Sequence, residues 1–237
     1  MRRTQRAADE LRPISITMDY LDNTEGSVFF QLGNTMCIAT ATLTTDTPAF
    51  ARNEGIGWIF AEYGMLPRSV DERIPRTRIT GRAMEIQRFI GRALRAAADL
   101  SLLKGYSVTI DCDVIRADGS TRCACVNAGF LALYRAMQYA VAQGLVPQNP
   151  IKCFIAAVSV GLVDGEYLLD LDYAEDYNAA VDFNLVLNEK YELVEVQGTA
   201  EKSAFTFDDM TQFYELAKIG VGQLITEMRR ALFPQAT

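Results

Sequence analysis

The amino-acid sequence contains no histidine among its 237 residues. A Ser-His-Asp triad, a Cys-His pair and a histidine-ligated metal are therefore excluded, so acid–base or metal chemistry must use carboxylates, lysine, tyrosine or water. Long apolar runs are also missing, since none reaches the roughly 18 residues that a membrane span needs. The first ten residues are charged and lack the apolar segment of a signal peptide. We expect a cytoplasmic protein that does not bind a membrane.

Cysteine is scarce, with five residues in total. The number is odd and most of these residues lie in apolar surroundings, which favours reduced core thiols over a disulfide framework. Cys123 and Cys125 are too little for a zinc site, because no second pair and no histidine exists to complete four ligands. The sequence thus predicts structural thiols.

The net charge of −7 at first argues against a nucleic-acid partner, but the charge is unevenly distributed. Residues 1–122 hold 16 lysines and arginines against 15 acidic residues, whereas residues 123–237 hold 7 against 15. In the first half, 15 of the 16 basic residues are arginine, the side chain suited to bidentate contact with phosphate. The whole-chain charge is therefore a poor guide to the partner.

Apolar periodicity predicts an α+β fold with mixed sheets and helices. With 49% hydrophobic residues the chain can build a sizeable core. No linker or repeat interrupts the pattern, so we expect a single domain over residues 1–237. We predict strands over 14–19, 27–43, 57–63, 107–115, 151–163, 166–171, 181–187 and 193–196, and helices over 82–98, 122–143 and 207–232.

Two predicted helix starts carry an arginine. Asp118-Gly119-Ser120-Thr121-Arg122 lies at a strand–turn–helix junction, where unpaired backbone N–H groups and the helix dipole favour an anion. The hydroxyls of Ser120 and Thr121, with Arg122, would complete a phosphate cradle. Arg82 opens the preceding helix and could point at the same anion. The alternatives are an ordinary turn with an N-cap and a solvated surface arginine.

A segment dense in arginine precedes and follows Arg82. A flexible basic loop suits the phosphate backbone of RNA, while the alternative is a solvated face balanced by Asp71, Glu72 and Glu85. The loop and helix arginines are Arg68, Arg73, Arg76 and Arg78, followed by Arg88, Arg92 and Arg95.

Acidic residues cluster further along the chain, at Asp170, Asp172, Glu175, Asp176 and Asp182. Asp182 begins a strand that is otherwise largely apolar, which is an unusual place for a charge that has no task. Two carboxylates at the mouth of a strand can hold Mg²⁺ or Mn²⁺ through oxygen ligands. The alternative is a capping aspartate beside a solvated acidic turn.

Motifs spread over nearly the whole chain resemble the ribonuclease PH family. They include AEYGMLPR at 61–68, VQGTAE at 196–201 and the Gly-Arg pair at 81–82. So many long matches in the same order make a chance likeness very improbable. The remaining segments lie at 9–14, 25–28, 85–96, 110–115, 117–119, 121–122, 149–152 and 156–161.

The resemblance implies a fold with left-handed βαβ crossovers and a hexameric ring built as a trimer of dimers. It also implies the reaction, in which inorganic phosphate attacks the 3′-terminal phosphodiester of RNA and releases a nucleoside diphosphate. The usual substrate is the 3′ end of precursor tRNA, and Mg²⁺ is the expected cofactor.

Residue roles are carried over by the same resemblance. The residues that match the family's phosphate site are Arg82, Ser120, Thr121 and Arg122. The residues that match the two aspartates of catalysis and metal binding are Asp176 and Asp182. The residues that match the tRNA-contacting loop are Arg68, Arg73 and Arg76.

The sequence departs from the family in the basic segments. Residues 52–58 lack the usual lysines and include Glu54, and the loop before Arg82 lacks a lysine–glycine–lysine segment. Ala180 stands where a glutamate is usual, and Ser120 where a second glycine is common. These departures predict weaker RNA binding. They leave open an enzyme that acts on short unstructured RNA, or an inactive RNA-binding ring subunit, although inactive relatives tend to lose the arginines and aspartates kept here.

Overall fold

The computed structural model describes residues 5–76 and 80–234. Over these residues the chain forms two β-sheets and five α-helices. The strands are β1 (Ile14–Met18), β2 (Gly26–Leu32), β3 (Thr35–Thr44), β4 (Trp58–Met65), β5 (Ser107–Arg116), β6 (Ile155–Val163), β7 (Glu166–Leu169), β8 (Val181–Asn188) and β9 (Leu193–Ala200). The helices are α1 (Ala49–Glu54), α2 (Gly81–Ala96), α3 (Thr121–Ala142), α4 (Tyr173–Asn178) and α5 (Phe207–Leu232).

The first sheet has the strand order β1-β2-β3-β5-β4. Its neighbours pair antiparallel except β4 and β5, which run parallel because α2 carries the chain back across the sheet between them. Alternate residues on β2, such as Val28, Phe30 and Leu32, are buried and give this sheet one core-facing side. The second sheet, β7-β6-β8-β9, is antiparallel throughout.

Helix α3 lies at the centre of the molecule and contacts strands of both sheets. Its residues from Cys123 to Leu133 are all buried. The approach to β2 is so close that a Cβ added at Gly26 would meet the carbonyl oxygen of Ala132 at 2.3 Å. Packing at this distance leaves no room for a side chain larger than hydrogen. One continuous hydrophobic core therefore joins the two sheets.

The predicted α+β class is confirmed, and the strands and long helices lie where the sequence predicts them, within a few residues. Helix α5 has the predicted bounds, whereas β6 begins at Ile155 instead of residue 151. The backbone of residues 150–152 pairs with residues 97–99 instead of with β8, since the Asp99 N–H donates to the Pro150 carbonyl and the Lys152 N–H donates to the Ala97 carbonyl, both at 2.8 Å. The single-domain expectation stays a prediction. Among the described residues no helix is long and apolar enough to cross a membrane.

Two short helices were not predicted. Helix α1 follows Pro48, and α4 occupies the segment that the sequence analysis treated as an acidic turn. Both have six residues, too few for an apolar periodicity to emerge. Helix α4 carries Asp176, one of the two aspartates that the resemblance assigns to catalysis and metal binding.

Candidate active site

The parallel strands β4 and β5 explain why two helix starts meet. The strands run side by side from the pair Trp58–Ser107 to the pair Met65–Val114, so their carboxyl ends lie at the same edge of the sheet. The chain leaves β4 toward α2 and leaves β5 toward α3, so both helices begin near that edge. Ligands of open α/β sheets bind outside this edge of the strands. Arg82 and Arg122, each the second residue of its helix, line one open cavity of about 510 Å³.

The turn that leads into α3 has an unusual backbone. Gly119 and Ser120 both have positive φ angles, of 72° and 56°. A Cβ at Gly119 would meet the carbonyl oxygen of Leu171 at 2.5 Å, so this glycine allows the turn to pack against the segment that precedes α4. The hydroxyl of Ser120 hydrogen bonds to that of Ser159 at 2.5 Å and donates to the Leu171 carbonyl at 2.9 Å.

The predicted role of the Ser120 hydroxyl in a phosphate cradle is therefore not supported, because that hydroxyl is used inside the protein. Ser120 precedes α3 without a side-chain cap, which leaves the first N–H groups of α3 uncapped by a side chain. The Thr121 hydroxyl lies 3.2 Å from the hydroxyl of buried Tyr63. Burial raises the pKa of Tyr63 well above its usual value, although the nearby charges of Arg82 and Arg122 oppose the shift.

A buried ion pair contacts the same turn on the side away from solvent. The Arg12 guanidinium donates to both carboxylate oxygens of Asp170, at 2.9 and 2.7 Å, and also to the carbonyl oxygen of Asp118. Arg12 is 3% exposed and Asp170 is 1% exposed. Breaking one partner of such a pair leaves a buried charge uncompensated. Asp170 is therefore a structural residue that fixes the turn before α3.

Two more of the acidic candidates are structural. Asp172 and Glu175 form a capping box at the start of α4, in which each side chain accepts from the backbone N–H of the other at 2.9 and 3.0 Å. Asp172 is therefore a capping aspartate. Of the five acidic residues, Asp176 and Asp182 are the two that line the cavity.

Asp176 and Asp182 share a hydrogen bond between their carboxyl groups. Asp176 lies on α4, and Asp182 lies near the start of β8, opposite Thr199 of β9. Burial, together with the charge of Asp176, raises the pKa of Asp182 to about 6, while Arg122 opposes the shift. Burial also raises the pKa of Asp176, against the hydrogen bond from Asp182 and the charges of Arg82 and Arg122. The closeness of the two carboxyl groups therefore favours a protonated Asp182 below about pH 6.

The Arg122 side chain contacts two other residues of the cavity lining. Its guanidinium forms an ion pair with Glu85 at 3.2 Å and donates to the side-chain oxygen of Gln197, whose amide in turn donates to Glu85. These contacts connect α2, α3 and β9. A bound phosphate would have to compete with Glu85 for the Arg122 guanidinium.

Sequence reasoning missed several residues of the cavity lining. Glu85 lies three residues after Arg82 on α2, which places both on one helix face. Gln197 and Thr199 are two residues apart on β9, so their side chains lie on one face of the strand. Tyr177 directly follows Asp176. The missed residues are Glu85, Tyr177, Gln197, Thr199, Glu201 and Lys202.

Two of the three arginines of α2 beyond Arg82 contact other parts of the fold. Arg92 donates to Glu195 of β9 at 2.6 Å, and Arg95 lies over the Trp58 ring at 4.6 Å while it donates to the Ile59 carbonyl. Neither side chain faces the cavity, so the RNA-binding interpretation of this helix face is not supported for these two residues. Arg88 is exposed outside the cavity lining.

The loop arginines that were assigned to RNA binding lie outside the cavity lining. Arg68, Arg73 and Arg76 are all exposed. Their loop is tied down near α3, because the Ala117 N–H donates to the Ser69 carbonyl at 2.8 Å. The loop therefore begins beside the turn that leads into α3. Arg78 lies outside the described residues.

A metal would have to share this site with its substrate. Within residues 5–76 and 80–234, no cluster of three or more acidic, cysteine or histidine side chains could hold an ion by itself. Mg²⁺ is commonly held by one or two carboxylates together with substrate phosphates and water. Asp176 and Asp182 supply oxygen ligands of this kind in an open cavity, so they fit such an ion.

Comparison with known proteins shows the family to which the chain belongs. The model of the 3′ exoribonuclease family, domain 1, matches residues 10–137, and that of domain 2 matches residues 153–220. Ribonuclease PH of Moorella thermoacetica is 48% identical over 98% of this chain and 94% of the relative. Ribonuclease PH of Halalkalibacterium halodurans is 49% identical over 98% of this chain and 92% of the relative. The chain belongs to the ribonuclease PH family.

Solved structures agree with the ribonuclease PH fold. Rice (Oryza sativa) Rrp46 superposes with a TM-score of 0.81 at 21% identity, over 98% of this chain and all of that one. A chain of the Archaeoglobus fulgidus exosome with RNA bound to the active site superposes with a TM-score of 0.84 at 19% identity, over 95% of this chain and 92% of that one. At these identities the likeness concerns the fold.

The cavity lies between the two regions that the ribonuclease PH family models match. Arg82 and Arg122 belong to the first region, whereas Asp176 and Asp182 belong to the second. Helix α2 bridges the regions through Arg92 and Glu195. The chain therefore assembles its cationic and acidic groups from two separate parts of the sequence.

Proposed function

We propose that this chain is a phosphate-dependent 3′→5′ exoribonuclease that trims the 3′ ends of RNA at the cavity between α2, α3 and α4. The observation that carries the proposal is the cavity itself, which is lined by two arginines at helix starts and by two neighbouring aspartates. Near-50% identity to ribonuclease PH over almost the full chain supports the same activity. Inorganic phosphate is the co-substrate.

Arg82 and Arg122 are the proposed phosphate ligands. A guanidinium offers a planar fork of donors that matches phosphate oxygens, and its charge is permanent. The uncapped first turn of α3 adds backbone N–H groups and the positive end of a helix dipole. Phosphate bound here would replace Glu85 as the partner of Arg122 and would lie beside the Thr121 hydroxyl.

In the proposed step an oxygen of the bound phosphate attacks the phosphorus of the last phosphodiester. A P–O bond to phosphate forms as the bond to the 3′ oxygen of the preceding nucleotide breaks, so a nucleoside diphosphate leaves. The departing 3′ oxygen needs a proton. Asp182, with a pKa of about 6, is placed to donate it, and Asp176 holds Asp182 in position through their shared hydrogen bond.

Mg²⁺ is the proposed metal, held by Asp176 and Asp182. When bound, it would offset the negative charge that accumulates on the phosphoryl oxygens during transfer. An ion held by both carboxylates would displace a proton from Asp182, so Mg²⁺ binding and direct proton donation by Asp182 are alternative roles for the pair. Activity in the presence of a chelator separates them, because loss of activity would favour the metal role.

The proposed RNA is a precursor tRNA with a 3′ extension, held in part by Arg68, Arg73 and Arg76. Replacing all three by alanine should lower the slope of log affinity against log salt by about 2, since each phosphate contact to single-stranded RNA contributes about 0.7. The Michaelis constant for phosphate should not change, because these residues lie outside the cavity lining. Binding of a 3′-extended tRNA across a salt series measures the slope. Equal slopes in variant and wild type would place the RNA elsewhere.

A homohexameric ring, a trimer of dimers, and a cytoplasmic location belong to the same proposal, and family membership supports both. Light scattering tests the ring, since a monomer mass at working concentration would overturn it. One alternative is an inactive RNA-binding ring subunit. The presence of Arg82, Arg122, Asp176 and Asp182 around one cavity argues against it. A second is an enzyme for short unstructured RNA, which the missing lysines favour.

One incubation separates these candidates. A 3′-extended tRNA and an unstructured oligonucleotide are each incubated with the protein, with and without phosphate. We expect nucleoside diphosphates that appear only with phosphate. Monophosphates would mean hydrolysis, and no product would favour the inactive subunit. Arg82→Ala should lose activity, while Arg230→Ala, which removes an exposed arginine of α5 outside the cavity lining, should keep it.

A further inference from the structure

Two tyrosine rings stand in solvent beside the cavity. Tyr173 is 62% exposed and Tyr177 is 74% exposed, and they lie one helical turn apart on α4. Their ring centroids are 6.2 Å apart and their planes are inclined by 35°. Tyr177 also lines the cavity and directly follows Asp176. The mechanism above uses neither ring.

The helix that carries these rings is fixed at both ends. At its start, the capping box of Asp172 and Glu175 is joined by the Tyr173 N–H, which donates to the Asp118 carboxylate at 3.3 Å. At its end, the Lys202 ammonium donates to the Asn178 carbonyl at 2.7 Å. The rings therefore project from a backbone that is held against the turn before α3.

We propose that Tyr177, supported by Tyr173, is the surface on which the nucleobase at the 3′ end of the RNA stacks. The inference rests on the proposed function. If the last phosphodiester lies at Asp176, the nucleoside attached to it lies within reach of the next residue on the same helix. Every base has a π face, so stacking tolerates all four bases, as an exonuclease that removes each nucleotide in turn requires. The ring is the feature that matters, and the hydroxyl is not.

The kinetic test compares four substitutions of Tyr177. Tyr177→Ala should raise the Michaelis constant for RNA about 10-fold, in line with the loss of one base–aromatic stack, and should leave that for phosphate unchanged. Tyr177→Leu keeps apolar bulk without an aromatic face and should behave like alanine, while phenylalanine and tryptophan should behave like wild type. Tyr139→Ala removes an exposed tyrosine of α3 that lies outside the cavity lining, and should have no effect.

A modified substrate identifies the group that the ring touches. An oligonucleotide whose 3′-terminal nucleotide lacks its base should show the same loss of about 10-fold with the wild-type enzyme. With Tyr177→Ala the missing base should cost nothing further, because the ring and the base form one contact. Independent, multiplying losses would overturn the proposal. So would a parallel rise in the constant for phosphate, since the substitution would then act through the position of Asp176.

Failure of the proposed function has a different signature. If the wild type released no nucleoside diphosphate, stacking would be measured by binding an RNA with 2-aminopurine at its 3′ end. Quenching of its fluorescence by the wild type and by Tyr177→Phe, but not by Tyr177→Ala, would support the stacking surface. Equal quenching by all three would overturn it. If the wild type phosphorolyses RNA and Tyr177→Ala keeps the wild-type constants, the stacking surface alone is wrong.

Discussion

The cavity has two unlike walls, and the contrast assigns a different task to each. The cationic wall carries Arg82 and Arg122, and a guanidinium group is a permanent cation that suits the binding of anions. The acidic wall carries Asp176 and Asp182, and burial together with the charge of Asp176 raises the pKa of Asp182 to about 6. A permanent charge suits holding an anion, whereas a group that titrates near neutrality suits a change of charge during the reaction.

The walls also differ in how the fold positions them. The cationic wall follows from backbone topology, because two parallel strands deliver two helix starts to one sheet edge. The acidic wall combines strand pairing with side-chain contacts, because Asp182 lies in the ladder between β8 and β9, while the capping box of Asp172 and Glu175 starts α4, which carries Asp176. Substitutions on the cationic wall should therefore change binding of phosphate. Substitutions on the acidic wall should change the rate of the chemical step and the stability of the protein.

The largest effect is expected from Asp182→Asn. Removing a general acid typically lowers a rate by about 10²–10⁴-fold, so kcat for nucleoside diphosphate release should fall within this range. The Michaelis constant for phosphate should stay near the wild-type value, since the arginines are unchanged. Asp164→Asn, at the β6–β7 turn, is the matched control and should keep activity. If Asp182→Asn kept the wild-type kcat, the acidic wall would have no role in the chemical step.

The second effect concerns the cationic wall. Arg122→Ala should raise the Michaelis constant for phosphate by roughly 10–150-fold, the equivalent of a charge-assisted hydrogen bond of about 1.5–3 kcal/mol. Arg122→Lys keeps the charge without the planar fork and should fall between alanine and wild type. Initial rates over a phosphate series measure both. A wild-type response in Arg122→Ala would show that phosphate binds elsewhere.

A third effect concerns the stability of the protein, which the substitution of Asp182 should increase although it lowers activity. The pKa of Asp182 is raised from 3.8 to about 6 by folding, so its contribution favours the folded state below pH 4 and is lost as pH rises through 6. At pH 7.5 the carboxylate thus destabilises the wild type, and Asp182→Asn should be more stable by up to about 3 kcal/mol. Denaturant unfolding at pH 7.5 and pH 4.5 checks this. A gain that persists undiminished at pH 4.5 would contradict the assigned titration.

The smallest effect is expected at Glu85. Its carboxylate competes with phosphate for Arg122 in a partly exposed ion pair, and such pairs contribute about 0.5–1 kcal/mol. Glu85→Gln should therefore lower the Michaelis constant for phosphate by roughly two- to fivefold. Glu227→Gln removes a glutamate that is ion-paired with Arg230 on α5, and it should change nothing. A higher constant in Glu85→Gln would mean that Glu85 helps to position Arg122.

Most of the fold could be predicted from the sequence, because long segments show a clear periodicity of apolar residues. The predicted bounds of α5 agree with the structure, and Arg82, Arg122, Asp176 and Asp182 come together in one cavity as the resemblance implied. Their association depends on which strands pair in parallel, a property of the folded chain that no local pattern in the sequence reveals.

The direction of individual side chains could not be predicted. Ser120 has the residue type of a phosphate ligand, yet its hydroxyl turns toward Ser159 and the Leu171 carbonyl, both distant in the sequence. Arg92 lies on a helix face that suggests an RNA contact, yet its guanidinium donates to Glu195 of β9, which is distant in the sequence. Such partners are long-range, so spacing along one helix does not identify them.

The separation of tasks between the two walls is tested most directly by one set of rate measurements. Initial rates of nucleoside diphosphate release are recorded over a phosphate series for the wild type, Arg122→Ala and Asp182→Asn, with the same 3′-extended RNA at saturation. We expect Arg122→Ala to shift the phosphate dependence to higher concentration, and Asp182→Asn to lower the plateau without shifting it. If both variants lowered the plateau alone, or both shifted the midpoint alone, the walls would not have the separate tasks that their charges and positions indicate.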